Sequence, residues 1–376
     1  MIKTVNTGIY SVSHFLMDFM CHYYVFSLVR TGFPGRAVIA FLLYNFIAFA
    51  LQCPIGALCD RFKGRYSVTL SFLLLLTGFC IGFWWFPGSF SGCIAGMVVC
   101  AFANAILHAG GCKAVMEPGK NGLAAGGVFI SFGALGVGLG DYLGSNGISI
   151  FPWAVVIVIV IAALINLPVF DHKSYEESSA YPGAAYDAKE NVLLILCLAA
   201  VFVRSYGGFL LPAGFKGILG PASADTSYVF WSGMLPSVLG FIGKFAGGFA
   251  VILLSKLVKA RKDLRAANYI YGFIALLVSA VLLLMAGQDP VLCAVGIVLF
   301  NSVMPVTLYE IYCMFPQNPG FSLGLTTLLL FAGYLPTVVF RPEWLQRTVI
   351  LAVLMTVGVL CLGFAAAGYI KDAGKE

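Results

Sequence analysis

The chain has 376 residues, of which 60% are hydrophobic and only 10% are charged. Because about a quarter of the residues in a soluble globular domain are charged, this composition excludes a soluble protein and predicts an integral membrane protein. The formal net charge of +6 is therefore interpreted loop by loop, as a signal of membrane orientation and not of nucleic-acid binding.

Apolar stretches of membrane-crossing length follow one another along the chain, and the polar breaks between them predict twelve spans. The predicted spans are 5–29, 36–59, 66–87, 90–114, 121–145, 148–170, 191–215, 226–256, 266–287, 289–314, 320–340 and 345–369. We expect the first to be a spanning helix and not a signal peptide, because it is too long and carries histidine and aspartate. The 11 cysteines show no CxxC pair and no metal-ligand spacing, so the sequence predicts neither a metal site nor a cofactor.

The first predicted span carries a stripe of polar and ionisable side chains within an apolar run. Tyr10, His14, Asp18 and His22 follow one another at four-residue intervals, so a helix places them on one face. Ionisable groups inside a membrane are costly and normally face a bundle interior or a water-filled path. The stripe therefore predicts a site for protons, ions or substrate.

The loop between the second and third spans combines a glycine, an Asp-Arg pair and further basic residues, in the run Gly56-Ala-Leu-Cys-Asp60-Arg61-Phe-Lys63-Gly64-Arg65. This run resembles the cytoplasmic signature of the major facilitator superfamily, G-x-L-x-D-R-x-G-R-R, with one residue inserted before the second glycine. A glycine lets two helices approach, and Asp60 can cap a neighbouring helix N-terminus or pair with a base. The resemblance implies an all-α fold of twelve transmembrane helices in two pseudo-symmetric six-helix bundles. It also implies a conformational latch formed by Gly56, Asp60, Arg61 and Arg65.

The fifth span has glycines at helical spacing, namely Gly127, Gly136, Gly140 and Gly144. Their spacing is similar to the antiporter motif of the same superfamily, G-x8-G-x3-G-P-x2-G-G, although Asp141 replaces the proline and Ser145 the last glycine. The pattern fits either a helix-packing contact associated with proton-coupled exporters or generic packing of small residues.

Two further segments are similar to one branch of the superfamily, the fosmidomycin-resistance-like exporters. Ser13, His14 and Asp18 of the first span match that branch's S-H-x-x-x-D. His108, at the end of the fourth span, also fits the branch. This similarity implies export.

The superfamily resemblance implies that the first, fourth, seventh and tenth spans line a central cavity, which binds substrate near the midplane. The sequence independently places polar groups on those spans, and the predicted substrate-binding residues are Tyr10, His14, Asn104, His108, Arg204, Tyr206, Asn301 and Tyr309. The predicted proton-coupling residues are Asp18, His14, His22 and Glu310.

Asp18 is the first candidate for a proton carrier, because a buried carboxyl group can load and release a proton in the physiological range. The alternative is a permanent structural pair with Arg204 or a histidine. Arg204 presents a planar fork that suits a carboxylate or phosphonate; it can also pair with Asp18 between transport steps or form a fixed bond between helices. Glu310 fits a second titratable group, a cytoplasmic gate or a solvated helix end.

Basic residues concentrate in alternate loops, and the poorer side has only Arg30, Arg36, Lys216, Arg341 and Arg347. By the positive-inside rule both termini and the polar segment 171–190 are cytoplasmic, in the inner (plasma) membrane. We therefore predict an N-terminal bundle over 1–170, a cytoplasmic linker over 171–190 and a C-terminal bundle over 191–376.

The sequence thus predicts a monomeric, proton-coupled secondary transporter in the lipid bilayer and not an enzyme. It would move a small anionic or zwitterionic solute by alternating access, as an exporter working by antiport. The nearest alternative is an uptake symporter or exchanger for organic anions. A membrane enzyme, with metal held by the histidines and aspartate of the first span, and a non-transporting sensor are more distant alternatives.

Overall fold

The computed structural model describes residues 2–116, 119–150, 152–167, 188–211, 226–257, 264–286, 289–340 and 344–373. Within these ranges the chain forms helices and no strands. The linker predicted over 171–190 lies outside the described residues up to 187, and the predicted loop residues Lys216 and Arg341 lie outside them as well.

The described residues form twelve successive helical segments, one at the position of each of the twelve predicted spans. They are α1 (Ile2–Tyr24), α2 (Pro34–Cys59), α3 (Gly64–Trp85), α4 (Phe90–Val115), α5 (Lys120–Ser145), α6 (Pro152–Ile165), α7 (Ala188–Leu210), α8 (Thr226–Leu257), α9 (Leu264–Met285), α10 (Pro290–Met314), α11 (Pro319–Val339) and α12 (Trp344–Ala373). Ten of these are long and apolar enough to cross a membrane. The other two are α6, which is shorter, and α1, whose polar stripe lowers its mean hydropathy.

Wider π-helical turns interrupt the first three segments. α1 continues as a π-helix over Val25–Arg30, α2 contains one over Phe46–Ala50, and α3 ends in one over Cys80–Trp85. Such turns are rare and often lie at functional sites. In α2 the π-helical turn brings the ring of Phe49 to a centroid distance of 6.4 Å from the ring of His108.

The chain packs as two compact units. Unit 1 comprises Met1–Met116, Phe132–Tyr181 and Gln317–Leu328. Unit 2 comprises Glu117–Ser131, Pro182–Pro316 and Leu329–Glu376. α5 and α11 therefore each contribute one part to each unit. The predicted division into bundles over 1–170 and 191–376 stays a prediction.

Unit 1 is held together by short polar bonds between closely packed helices. The hydroxyl of Thr69 on α3 donates to the carbonyl of Asn166 at 2.6 Å, and the amide of Asn166 donates to the Ser13 hydroxyl of α1 at 2.9 Å. The Tyr24 hydroxyl donates to the Cys93 carbonyl of α4 at 3.1 Å. Because a membrane offers no water to buried polar groups, such bonds both satisfy these groups and fix the helix register.

Unit 2 has an apolar core built by α7, α9, α10 and α12, with Ala200, Leu276, Phe300 and Leu362 among its buried members. Polar bonds also join α9 to α10 beside this core. The Ser279 hydroxyl donates to the Gly296 carbonyl at 2.8 Å, and the Tyr271 hydroxyl donates to the Ser302 hydroxyl at 2.9 Å.

Candidate functional site

The carboxylate of Asp18 on α1 has several polar partners among the described residues of unit 1. His14 lies one helical turn earlier, and its Nε2 atom is 3.1 Å from Oδ2 of Asp18. Both side chains are buried. The four-residue spacing that the sequence showed therefore produces a real contact on the face of α1 that turns into the unit.

α4 supplies the remaining partners of this carboxylate. The amide of Asn104 donates to Oδ1 of Asp18 at 2.6 Å, and Nε2 of His108 lies 3.2 Å from the same oxygen. The rings of His14 and His108 meet edge to face, with centroids 4.3 Å apart. We call His14, Asp18, Asn104 and His108 the Asp18 cluster. The sequence assigned all four to a site, and the structure brings them into direct contact within one unit.

The glycine stripe of α5 closes over the Asp18 cluster. A side chain at Gly133 would collide with His14 and Asp18, and one at Gly136 would collide with the backbone of α1. Gly140 and Gly144 continue this close contact along α1 toward its C-terminal end. Gly127 faces a different helix, since it packs in unit 2 against the backbone of Lys244 on α8.

His22 does not contact the carboxylate of Asp18 directly but forms a separate pair. Its Nδ1 atom lies 2.7 Å from Oδ1 of Asp141 on α5, and the ring of Tyr44 on α2 meets the His22 ring edge-on at 5.8 Å. In the sequence, Asp141 is distinguished only by occupying the proline position of the antiporter pattern, and this position predicts no pairing with His22.

Arg204 lies buried on α7 in unit 2 without compensation of its charge by the described residues. Its Nε and Nη2 atoms are buried and have no hydrogen-bond partner within the described part of the chain. The guanidinium carbon lies 5.9 Å from the centroid of the Phe300 ring on α10. A buried guanidinium with free donors can bind an anionic group.

Glu310 belongs to an ionic network at one end of unit 2. It is fully buried, and its two carboxylate oxygens accept from Nε of Arg265 at 3.0 Å and from the amide of Asn268 at 2.7 Å. The two other guanidinium nitrogens of Arg265 donate to the carboxylate of Glu190 at 3.0 and 3.1 Å. The solvated helix end that the sequence allowed for Glu310 is therefore not what the structure shows.

The other predicted binding residues occupy individual positions. Tyr10 is buried on α1, one turn before His14, and Tyr206 is half-buried on α7. Asn301 turns its amide back onto the Ile297 carbonyl of its own helix at 2.9 Å. The hydroxyl of Tyr309 accepts from the backbone N–H of Gly119 at 2.8 Å, which ties α10 to the residue before α5.

Asp60, immediately after α2, caps the start of α11. Its carboxylate accepts from the backbone N–H groups of Gly320 and Phe321, both at 2.8 Å. Burial raises the pKa of Asp60, while the two backbone donors and nearby Lys113 act in the opposite direction. A negative charge at a helix N-terminus stabilises the helix by satisfying its free donors and its dipole. We call Asp60 with Gly320 and Phe321 the α11 cap.

Close packing surrounds the α11 cap. A side chain at Gly56 would collide with the backbone of Gly320. The thiol of Cys112 on α4 is buried beneath the start of α11, and its sulfur lies 3.7 Å from the Pro319 carbonyl. Of the predicted latch residues, Arg61 is exposed, and the guanidinium of Arg65 lies 5.6 Å from the Tyr66 ring centroid.

Comparisons with known proteins identify the architecture. No protein-family profile matches the chain, and no curated protein matches it in sequence. Among solved structures, a variant of the E. coli fucose:proton symporter FucP superposes with a TM-score of 0.66 at 12% identity, covering 97% of this chain and 99% of that one. FucP in the outward conformation, described as a major facilitator superfamily transporter, superposes with a TM-score of 0.67 at 14% identity and the same coverage. The chain has the major facilitator fold.

The major facilitator fold confirms the predicted all-α, multi-span membrane architecture. On this fold the Asp18 cluster can do two kinds of chemistry. Its carboxylate and imidazoles can exchange protons, and donor atoms of His14, Asp18 and His108 lie within 4.8 Å of one another, close enough to share a small cation. The sequence did not predict that His108 would complete such a group, because helical periodicity orders residues within one helix and not between two.

Proposed function

We propose that the chain is a proton-coupled transporter that moves a small organic solute across the membrane by alternating access, and that it is not an enzyme. The observation that carries this proposal is the Asp18 cluster. A carboxylate and two imidazoles lie buried and in contact on two predicted membrane-spanning helices. Ionisable groups at such positions are costly and mark proton or substrate pathways.

The composition of the cluster supports proton exchange. With neutral imidazoles the four side chains carry one negative charge, and uptake of one proton removes it. Since burial penalises net charge, and since every polar partner is retained on protonation, the cluster can load a proton without losing its packing. A change in its charge would then bias the equilibrium between the two transport states.

The substrate is proposed to carry an anionic group. Arg204 supports this proposal, because it is a permanent cation with buried donors that lack a partner within the described residues. A solved structure with the same fold is described as a fucose:proton symporter, so a neutral sugar such as fucose is the second candidate substrate. Tyr206, on the same helix as Arg204, remains a proposed contributor to substrate binding.

For the direction of transport we propose symport of substrate and proton. Two observations support symport: the proline of the antiporter pattern is replaced by Asp141, and FucP is described as a proton symporter. Antiport, as in the fosmidomycin-resistance-like exporters, is the second candidate. The close contact of α5 with α1 through Gly136, Gly140 and Gly144 favours it.

The deciding experiment uses purified protein in lipid vesicles with an imposed pH gradient. Substrates are first screened by thermal shift against organic acids, phosphonates and neutral sugars. Symport predicts that substrate moves with the proton flow, and antiport predicts that it moves against it. No substrate movement under either gradient, in vesicles that contain folded protein, would contradict the proposed function.

The matched variant for this experiment is Asp18→Asn. The amide keeps an acceptor for Asn104 and a contact for the histidines, so the protein should fold and insert, whereas proton-driven flux should fall by about a hundredfold or more. Unchanged proton-driven flux would contradict the role of Asp18. Flux should also survive treatment with a chelator, and its loss would indicate that His14, Asp18 and His108 hold a cation instead.

The remaining assignments are proposed on the same basis. The protein is proposed to act as a monomer in the inner (plasma) membrane, with both termini in the cytoplasm. The α11 cap is proposed to act as a latch, because a charge that caps α11 in one state must leave it when the helix moves. Glu310 is proposed as a gate through its network with Arg265 and Glu190.

A further inference from the structure

A second ionisable pair lies beyond the Asp18 cluster on the same two helices, α1 and α5. His22 follows Asp18 by four residues, a rise of about 6 Å along a helix. Its Nδ1 atom lies 2.7 Å from Oδ1 of Asp141. Both residues lie in the C-terminal third of their helices, and the Arg30–Ser145 bond of 3.3 Å shows that these helix ends meet.

Exposure falls in steps from this pair to the Asp18 cluster. The side chain of Asp141 is 38% exposed and that of His22 is 13% exposed. The side chains of Asp18 and His108 are 8% and 6% exposed. The groups therefore form a series that begins at the part-exposed carboxylate of Asp141, four residues before the end of α5, and ends in the buried Asp18 cluster.

Helix packing holds His22 between the two ends of this series. Gly140 brings α5 so close that a side chain there would collide with Cβ of His22, and Tyr44 of α2 covers the ring edge-on. The ionisable groups around His22 are therefore Asp141 on α5, Tyr44 on α2 and, one turn earlier on α1, Asp18. The only one of these that is more than a third exposed is Asp141.

We propose that His22 and Asp141 form an outer proton-binding site that takes a proton from solvent and passes it to Asp18. This inference rests on the proposed proton-coupled function. In the forward direction a proton from bulk water binds the His22–Asp141 pair, which becomes neutral overall. The pair then releases one proton, directly or through water, to the carboxylate of Asp18, which becomes a carboxylic acid, and the pair returns to its starting charge.

The position of Asp141 gives the proline substitution in the glycine stripe a function. Proline at this position would leave His22 without an acceptor on α5. Aspartate supplies that acceptor, is part-exposed and keeps the glycines on either side that allow close packing. The same residue thus serves helix packing and proton access.

The test is transport by Asp141→Asn in lipid vesicles. Asparagine still accepts a hydrogen bond from His22 but cannot take up a proton. We expect the ratio of proton-driven flux to substrate counterflow at equal pH to fall about tenfold, since water supplies only a slower path than a positioned acid–base pair. The pH at which proton-driven flux is half-maximal should also shift. His22→Gln, which keeps a hydrogen-bonding side chain, should lower the same ratio.

Ser145→Ala is the matched control, because it removes the neighbouring bond between α1 and α5 without touching an ionisable group in the series. An unchanged ratio and an unchanged pH profile in Asp141→Asn would overturn the inference. A parallel loss of both kinds of flux in Asp141→Asn and Ser145→Ala would also overturn it, because the pair would then be a structural tie. Absence of proton-driven flux in the unmodified protein would contradict the proposed function itself, which separates the two failures.

Discussion

The two units differ in how many polar partners surround their buried charged groups. The carboxylate of Asp18 in unit 1 has three polar partners at 2.6 to 3.2 Å, whereas the buried guanidinium of Arg204 in unit 2 leaves Nε and Nη2 without a partner in the described ranges. A satisfied charge is already stabilised by its surroundings, and an unsatisfied one costs free energy until something binds it. Under the proposed function, the Asp18 cluster of unit 1 would hold the coupled proton and Arg204 of unit 2 would bind an anionic group of the substrate.

The largest expected effect comes from removing the centre of the satisfied cluster. Asp18→Leu leaves His14, Asn104 and His108 buried without their shared acceptor, so the free energy of unfolding should fall by about 3–5 kcal/mol. Denaturant or thermal unfolding of the detergent-solubilised protein measures this. Asp18→Asn is the control, because asparagine retains an acceptor. Its free energy of unfolding should fall by much less. Equal stability of the two variants would show that the cluster contributes little to folding.

Removing the uncompensated charge of Arg204 should change the free energy of unfolding in the opposite direction. Arg204→Leu removes an uncompensated cation, so the free energy of unfolding should rise by about 2 kcal/mol, the order of the cost of placing arginine in a membrane interior. Substrate-dependent thermal stabilisation should disappear in the same variant. Arg265→Leu is the matched control, because Arg265 has two carboxylate partners and its loss should destabilise the protein. Destabilisation by both variants would indicate that Arg204 has a structural partner.

A more conservative substitution tests how the Arg204 side chain contacts the substrate. Arg204→Lys keeps the positive charge but loses the planar fork, so the affinity for a carboxylate or phosphonate substrate should fall about tenfold, or ~1.4 kcal/mol. Calorimetric titration of purified protein measures the affinity. An unchanged affinity would mean that Arg204 acts only as a point charge or does not contact the substrate.

The smallest effect is expected at the α11 cap. Asp60→Ala removes the acceptor for two backbone donors, which should weaken the local structure by about 1 kcal/mol and speed amide hydrogen exchange at Gly320 and Phe321 about fivefold. Arg61→Ala, in the same exposed loop, should leave this exchange unchanged.

Because burial raises the pKa of Asp60, lower pH should favour the capped arrangement over one in which Asp60 is hydrated. Faster exchange at lower pH, after correction for the intrinsic rate, would contradict this sign.

Hydropathy predicted the positions of the helices because a span must be long and apolar, and the ends of most predicted spans lie within three residues of the observed ends. The spacing of polar residues likewise predicted the polar stripe of α1, since residues four apart share a helix face. Periodicity says nothing about which helix covers that face. The contacts of Asp18 with Asn104 and His108 therefore could not be predicted from spacing.

Three other features of the site needed the structure for the same reason. The pairing of His22 with Asp141 spans 119 residues of sequence, and Arg265 joins Glu190 to Glu310 across 75 and 45 residues. Tyr309 stays a predicted substrate-binding residue, and the structure adds that its hydroxyl accepts from the backbone N–H of Gly119. Polar character shows that a side chain needs a partner, and only packing decides whether that partner comes from the chain itself.

The burial of Cys112 under the start of α11 makes the alkylation rate of this thiol a possible measure of movement in this part of the molecule. A bulky alkylating reagent cannot reach this buried thiol in the structure described, so its modification rate would measure how often the start of α11 moves away from it. Mass spectrometry of individual peptides would report that rate from the unmodified chain, without an introduced label. Measuring the Cys112 modification rate with added substrate, and again at a changed pH, would then show whether each of them favours or disfavours exposure of this thiol.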